Sequence, residues 1–182
     1  MIAECLIILG TMFPTTTGVV TPDMLEEYQY CQEVVPDRAH EQFDLIQEFF
    51  EPINWDIAVR VSWCESRHNI KALRTAEGNY DSGYFQFVSW TWNWIAEEHD
   101  LPMWDDWVIL RWGKPYTGKT SKDPTGFEHT KVQFTPYYNI MFASILVEDM
   151  YSYVRWKDWS SSQWCWESPN KFQRLLAKEK SM

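Results

Sequence analysis

The sequence predicts an α+β fold that is mainly helical, with one small β-region. Two observations carry this prediction: apolar residues recur at helical spacing in several segments, and the stretch EGNYDSG (residues 77–83) is rich in turn-forming residues. The chain of 182 residues, 45% of them apolar and 23% charged, is long enough to bury a sizeable core. We expect an N-terminal arm, linker or signal segment over residues 1–35 and one domain over residues 36–182.

The N-terminal run AECLIILGTMF (residues 3–13) is shorter than a membrane span but has the length of a signal-peptide core. No Lys or Arg precedes it, Glu4 stands where a positive charge is expected, and no A-x-A site follows. A cleaved segment and a strand or arm packed on the domain both remain open. The stretch PTTTGVVTP (residues 14–22) has the composition of a linker.

Two helices are predicted next. The first covers residues 37–50, with Asp37 able to cap its start and Pro52 ending it. The second follows the cap residue Asn54, and its apolar spacing predicts a largely buried helix. Glu65 lies near the C-terminal end of this second helix, at the edge of its buried face.

The short, partly β-prone flanks of the EGNYDSG turn predict a small hairpin or irregular β-region over residues 70–87. A helix capped by Ser89 should follow, and then a loop-like insertion over about residues 101–134. The clearest predicted helix covers residues 135–154, with Thr135 as cap, Pro136 in the first turn and an almost wholly apolar body typical of a central core helix. A last helix starts at Ser168 and ends in basic residues.

Charge excludes several functions. The net charge of −10 and the pI of about 4.8 argue against non-specific nucleic-acid binding and against simple adhesion to an anionic membrane or wall. We expect a monomer with no nucleic-acid partner and no stable membrane span. The 12 Trp, 9 Tyr and 10 Phe residues exceed what a core of this size needs, so some of these rings could form flat apolar walls for sugars.

The four cysteines contain no CxxC pair, and no Cys/His grouping has zinc spacing. We therefore expect no metal site and no cofactor. The spacing fits one long-range disulfide better than a metal or redox motif. The pairing state of Cys5 and Cys31 stays open.

The candidate chemistry centres on Glu65. A glutamate whose pKa is raised by partial burial can protonate the leaving oxygen of a glycosidic bond, and Glu65 follows Trp63 and Cys64 at the end of an apolar helix. A second carboxylate can act as nucleophile or stabilise the cationic transition state, and Asp81 in the β-region is the natural candidate. A purely structural Asp81, holding its turn through a side-chain hydrogen bond, is equally compatible with the sequence.

The segments ESRHNIKA and DSGYFQF resemble the lysozyme-like superfamily, in particular soluble lytic transglycosylase and lysozyme domains. The family pattern is E-S-x-x-N-x-x-A, a gap, and then G-(L/I/Y)-(M/L/F)-Q-(I/F), with an Asn early in a late core helix. The residues that match this pattern are Glu65, Ser66, Asn69, Ala72, Gly83, Tyr84, Phe85, Gln86, Phe87 and Asn139. The resemblance covers about residues 54–166 and is interrupted by the predicted insertion.

The resemblance implies a lysozyme-like fold, in which the β-region forms one wall of a cleft, and a role for each matching residue. Glu65 becomes the general acid and then base, with Ser66 supporting it by hydrogen bonding. Gly83 lets the backbone approach the sugar, Gln86 bonds backbone or substrate, and Asn139 pins the cleft from the core helix. The aromatic candidates are Tyr138, expected to approach Glu65, and the sugar-stacking candidates Tyr84, Trp90 and Trp92, for each of which core packing is an equal alternative.

A secreted branch of this family places a Cys beside the catalytic Glu and pairs it with a Cys after a Trp-rich W-x-x-W-x-C segment. The stretch WKDWSSSQWCW (residues 156–166) is similar to that segment, so the resemblance implies a disulfide between Cys64 and Cys165. A disulfide implies an oxidising compartment, so we expect an extracellular, periplasmic or virion-associated protein.

The expected function is cleavage of the β-1,4 bond between N-acetylmuramic acid and N-acetylglucosamine in peptidoglycan glycan strands. Hydrolysis and anhydro-forming transglycosylation both remain open, because some transglycosylases carry an Asp at the position of Asp81 without using it as a nucleophile. The alternative is a non-catalytic lysozyme-like module that binds glycan or serves as a structural part of a virion.

Overall fold

A computed structural model of the chain describes residues 2–11, 22–76, 79–104, 110–111, 114–115, 132–150 and 156–182. In these ranges the protein is mainly helical with small antiparallel sheets, which confirms the α+β, mainly helical class. The chain divides into two compact units. Unit 1 combines residues 1–64 with residues 158–182, and unit 2 covers residues 65–157.

Unit 1 is helical. Its elements are α1 (Ile2–Thr11), α2 (Pro22–Val34), α3 (His40–Phe49), most of α4 (Trp55–Ser66), α7 (Gln163–Trp166) and α8 (Pro169–Lys180). Helix α1 packs against α2 and α3, and α2 also contacts α8. The side chains of Phe43, Ile46 and Phe172 are buried, and Phe172 meets Trp63 edge-on with 4.9 Å between ring centroids. Residues 3–11 of the apolar N-terminal run thus lie in a helix and not in a strand.

Unit 2 contains the β-region that the sequence predicts. Strands β1 (Leu73–Ala76) and β2 (Asn79–Ser82) form an antiparallel hairpin, which confirms the predicted hairpin. Helices α5 (Ser89–His99) and α6 (Pro136–Ile145) follow, and α5 contacts both α6 and β2. Trp92 of α5 stacks on Phe142 of α6 with 3.9 Å between ring centroids, so this pair forms the centre of the unit's core.

The predicted insertion over residues 101–134 is described only in part. It contains a second short hairpin, with β3 at Leu110–Arg111 and β4 at Lys114–Pro115, and a 3₁₀ turn at Val132–Phe134. Most of the rest of this segment lies outside the described residues, as does most of the linker predicted for residues 14–22.

The helix starts differ from the prediction in two places. Helix α3 begins at His40 after Ala39, so Asp37 is not its cap, and α5 begins at Ser89 itself, one residue earlier than the predicted cap allows. Helix α6 has Thr135 at the cap position and Pro136 in its first turn as predicted, although the Thr135 side chain makes no capping hydrogen bond. Beyond Ile145 the chain continues as a π-helical turn, Leu146–Met150, and residues 151–154 of the predicted helix lie outside the described residues.

The predicted start of the last helix is confirmed, because the Ser168 hydroxyl accepts a hydrogen bond from the backbone N–H of Lys171. Its basic end has a partner: Lys180 Nζ donates to the carbonyls of Gln32, Glu33 and Val35 at the C-terminal end of α2. Carbonyls at a helix C-terminus lack intrahelical donors and carry partial negative charge, so this ammonium group stabilises the end of α2.

Two disulfides lie in unit 1. Cys64 in α4 is bonded to Cys165 in α7, which confirms the predicted pair, and Cys5 in α1 is bonded to Cys31 in α2, the pair that the sequence left open. Among the described residues, no helix combines the length and the apolar composition needed to cross a membrane.

Candidate functional site

Glu65 lies in the last turn of α4 and is half-buried, as its position beside the apolar face predicts. The helix ends at Ser66, and the next two residues, Arg67 and His68, adopt left-handed backbone conformations with φ of 56° and 53°. Left-handed residues other than Gly are uncommon, and here they turn the chain sharply away from the helix axis. The carboxyl group of Glu65 is therefore carried at the helix end, immediately before this turn.

A chain of hydrogen bonds connects the helix end to the β-region. Ser66 Oγ accepts from the backbone N–H of Asn69 at 3.3 Å, and the Asn69 carbonyl accepts from the N–H of Ala72 at 2.9 Å. The Ala72 carbonyl in turn accepts from the N–H of Gly83 at 2.9 Å and from Gln86 Nε2 at 3.2 Å. Both halves of the motif are thus joined through backbone groups inside unit 2.

Asn139, in the first turns of α6, holds the other side of the same β-region. Its Oδ1 accepts from the backbone N–H of Phe85 at 3.1 Å, and its Nδ2 donates to the carbonyls of Ser82 at 3.3 Å and Gln133 at 3.1 Å. Asn139 is fully buried, so these bonds satisfy polar groups that water cannot reach. The side chain therefore fixes the turn between Ser82 and Phe85 against α6.

Gly83 is required by this arrangement. Its φ is +78°, and a Cβ built on it would lie 2.3 Å from Asn139 Nδ2 and 2.9 Å from the Gln133 carbonyl oxygen. The resemblance expects a glycine here so that the backbone can approach a sugar. In the structure the space beside its Cα is filled by Asn139, so close packing against that side chain is the reason for a glycine at this position.

We expect Gly83→Ala to lower the free energy of unfolding by about 2–4 kcal/mol, because an alanine both strains a left-handed backbone and overpacks the Asn139 contact. Chemical denaturation of the variant and the unmodified chain measures this loss. In a double-mutant cycle with Asn139→Ala, the stability loss of the double mutant should be smaller than the sum of the losses of the two single mutants. The reason is that Asn139→Ala removes the atom that the new methyl group would meet first. Full additivity would contradict the proposed contact.

Asp81 has a partner across the hairpin. Arg74 on β1 pairs in register with Asp81 on β2, and Arg74 Nε lies 2.5 Å from Asp81 Oδ2. The Asp81 residue is 8% exposed, whereas the Arg74 side chain is 68% exposed. Burial raises the pKa of the Asp81 carboxyl, and the charge and hydrogen bond of Arg74 oppose that shift without cancelling it.

This raised pKa predicts the sign of a pH effect on stability. A carboxyl that binds its proton more tightly in the folded chain contributes stability that is present at low pH and lost as the pH rises through its folded pKa. The stability of Asp81→Asn relative to the unmodified chain should therefore increase from about pH 4 to pH 7. Thermal melts of both proteins across this range measure the difference, and a stability of Asp81→Asn that falls relative to the unmodified chain as the pH rises would contradict this prediction.

The aromatic residues predicted to contact substrate differ in solvent exposure. Tyr84 and Trp92 are buried in the core, the alternative that the sequence left open for each. Trp90 is 66% exposed on the first turn of α5. Tyr138 is half-buried and meets Tyr137 edge-on at 5.4 Å between ring centroids.

Sequence reasoning missed two residues of this site, Arg74 and Gln133. Strand register pairs Arg74 with Asp81, and the run of turn-forming residues in EGNYDSG does not by itself fix that register. Gln133 contributes a backbone carbonyl to Asn139, and no local pattern marks such a group.

Within the described ranges, no grouping of His, Cys, Asp and Glu side chains has a geometry that could hold a metal ion. No protein-family model, no curated protein sequence and no solved structure matches this chain.

Proposed function

We propose that this chain cleaves peptidoglycan at the β-1,4 bond between N-acetylmuramic acid and N-acetylglucosamine, with Glu65 as general acid and base. The observation that carries the proposal is the hydrogen-bond network itself. Ser66, Asn69 and Ala72, which the motif places after the acid, bond in sequence to Gly83 and Gln86 of the second motif block. Asn139, the third part of the motif, holds the same turn from α6.

The position of Glu65 is compatible with acid catalysis. Glu65 is half-buried at the end of a largely buried helix, so part of its side chain is accessible. The protonated form of this carboxyl is the form that can protonate a leaving oxygen. The same group, ionised after that transfer, can then accept a proton from the attacking hydroxyl.

Peptidoglycan glycan strands are the proposed substrate, and the exposed ring of Trp90 supports this choice because sugars stack on flat apolar faces. Two disulfides support an oxidising compartment, so we propose an extracellular, periplasmic or virion-associated site of action. We further propose that the chain acts as a monomer and without a cofactor.

Muropeptide analysis by mass spectrometry tests the proposal. Purified chain and its Glu65→Gln variant are incubated with peptidoglycan, and the released fragments are identified. Anhydro ends would identify a transglycosylase and reducing ends a hydrolase, and either product should disappear in the variant. An absence of products from the unmodified chain would overturn the enzymatic proposal.

A non-catalytic glycan-binding or virion structural module is the second candidate. The ion pair between Arg74 and Asp81 favours it, because a carboxylate with a salt-bridge partner can stabilise the hairpin without reacting. Binding of the chain to insoluble peptidoglycan, unaffected by Glu65→Gln and without product release, would support this candidate.

A further inference from the structure

The ion pair between Arg74 and Asp81 joins the two strands of the hairpin, and its partners differ in burial: Asp81 is buried and Arg74 is exposed. Asp81 is 8% exposed, and its ionised form loses most of its hydration in that position. Arg74 is the charged group of the described residues that acts on Asp81, both through its field and through the hydrogen bond from Nε to Oδ2. Of the residues that the structure describes, Arg74 therefore supplies the charge that compensates this carboxylate.

We propose that Arg74 is a positioning residue that holds Asp81 ionised and in one orientation, so that Asp81 can complete the cleavage that Glu65 begins. This inference rests on the proposed function. Arg74 is assigned no direct contact with the substrate, and its effect is exerted entirely through Asp81.

The hairpin geometry explains why an arginine suits this position. The register places the two residues directly opposite each other on β1 and β2, where cross-strand side chains are close enough to pair. A guanidinium group stays charged at any pH relevant to a protein, and its Nε donates in the plane of the group, so it fixes the carboxylate in orientation as well as in charge. Asp81 Oδ2 is thereby engaged by Arg74.

Ionisation decides what Asp81 can do in the reaction. An ionised carboxylate can attack the anomeric carbon or stabilise positive charge there, whereas a protonated carboxyl can do neither. Burial raises the pKa of Asp81, and Arg74 works against that rise. Removal of Arg74 would leave a buried carboxyl without a counter-ion, and such a group takes up a proton instead of staying charged.

The main experiment compares Arg74→Gln and Arg74→Lys with the unmodified chain in peptidoglycan cleavage across pH. We expect Arg74→Gln to lower kcat by about tenfold on the acid side of the pH–rate profile, while KM changes little. The acid limb of that profile should move to higher pH. Arg74→Lys keeps the charge and should restore most of the acid limb. Lys71→Gln, which removes an exposed cation from the segment before β1, is the control for a general loss of attraction to an anionic substrate.

A double mutant separates action through Asp81 from direct substrate binding. In an Asp81→Asn background, Arg74→Gln should cause no further loss of kcat, because the group through which Arg74 acts is already neutral. An undiminished effect of Arg74→Gln in that background, or an increase in KM alone, would overturn the proposal.

Carboxyl-carbon NMR titration of Asp81 gives a readout that does not depend on activity. The titration midpoint should lie higher in Arg74→Gln than in the unmodified chain, and an unchanged midpoint would overturn the proposed electrostatic link.

The proposed function and the proposed role of Arg74 can be refuted separately. An active chain that Glu65→Gln inactivates but Arg74→Gln leaves unaltered would refute only the role of Arg74, whereas an inactive unmodified chain would refute the proposed function and with it the catalytic part of this inference.

Discussion

Replacing both Cys64 and Cys165 by serine should lower the free energy of unfolding by about 4.7 kcal/mol, the largest stability loss that we expect for this protein. The two cysteines are 101 residues apart in sequence, so their bond closes a long loop and restricts the unfolded chain strongly. Denaturant unfolding of the double-serine variant, compared with the unmodified chain under non-reducing conditions, measures the loss.

The second disulfide provides a matched control. Cys5 and Cys31 are 26 residues apart, so the same pair of substitutions there should cost about 3.5 kcal/mol by the same entropy relation. The difference between the two variants, about 1 kcal/mol, tests whether loop length governs the effect. An equal loss in both variants, or a greater one for the shorter loop, would contradict this account.

Glu65→Gln should reduce kcat for peptidoglycan cleavage by about 10²–10⁴-fold, because the amide has nearly the shape of the carboxyl group but carries no transferable acidic proton. KM should change little, since the substitution leaves the shape of the site intact and removes an interaction that matters in the transition state. Initial rates of product release at several substrate concentrations measure both parameters.

Glu98→Gln is the control for this prediction. Glu98 is an exposed carboxylate on α5 in the same unit, and removing its charge should leave kcat unaltered. If both variants lose activity to the same extent, the effect belongs to the overall charge of the chain and Glu65 has no special role. Retained folding of Glu65→Gln is verified by its thermal melt.

Local patterns predicted most of the secondary structure. Apolar spacing predicted the helices, and the turn-forming composition of the stretch EGNYDSG predicted the hairpin, because both depend on interactions between near neighbours in sequence. Helix starts were less predictable: Asp37 and Ser89 have the right chemistry for caps, yet Ala39 and Val88 occupy the cap positions. Packing of the helix faces outweighs one capping bond, which is worth only about 1 kcal/mol.

The candidate site was predictable in its residues and not in their roles. Motif resemblance selected Ser66, Gly83, Gln86 and Asn139, and all four take part in one hydrogen-bond network. Resemblance alone could not show that Asn139 fills the space beside Gly83, because these two residues are 56 positions apart. Nor could it show that Tyr84 is buried whereas Trp90 is exposed, since exposure depends on how the helices pack.

The mainly helical class, the hairpin after α4 and the position of Glu65 at a helix end could all be predicted from local sequence patterns, since periodicity and turn chemistry act over a few residues. Three contacts could not be predicted in this way: Arg74 with Asp81, Asn139 with the turn after β2, and Cys5 with Cys31. These contacts join side chains that packing and strand register bring together, and the identity of neighbouring residues does not specify either.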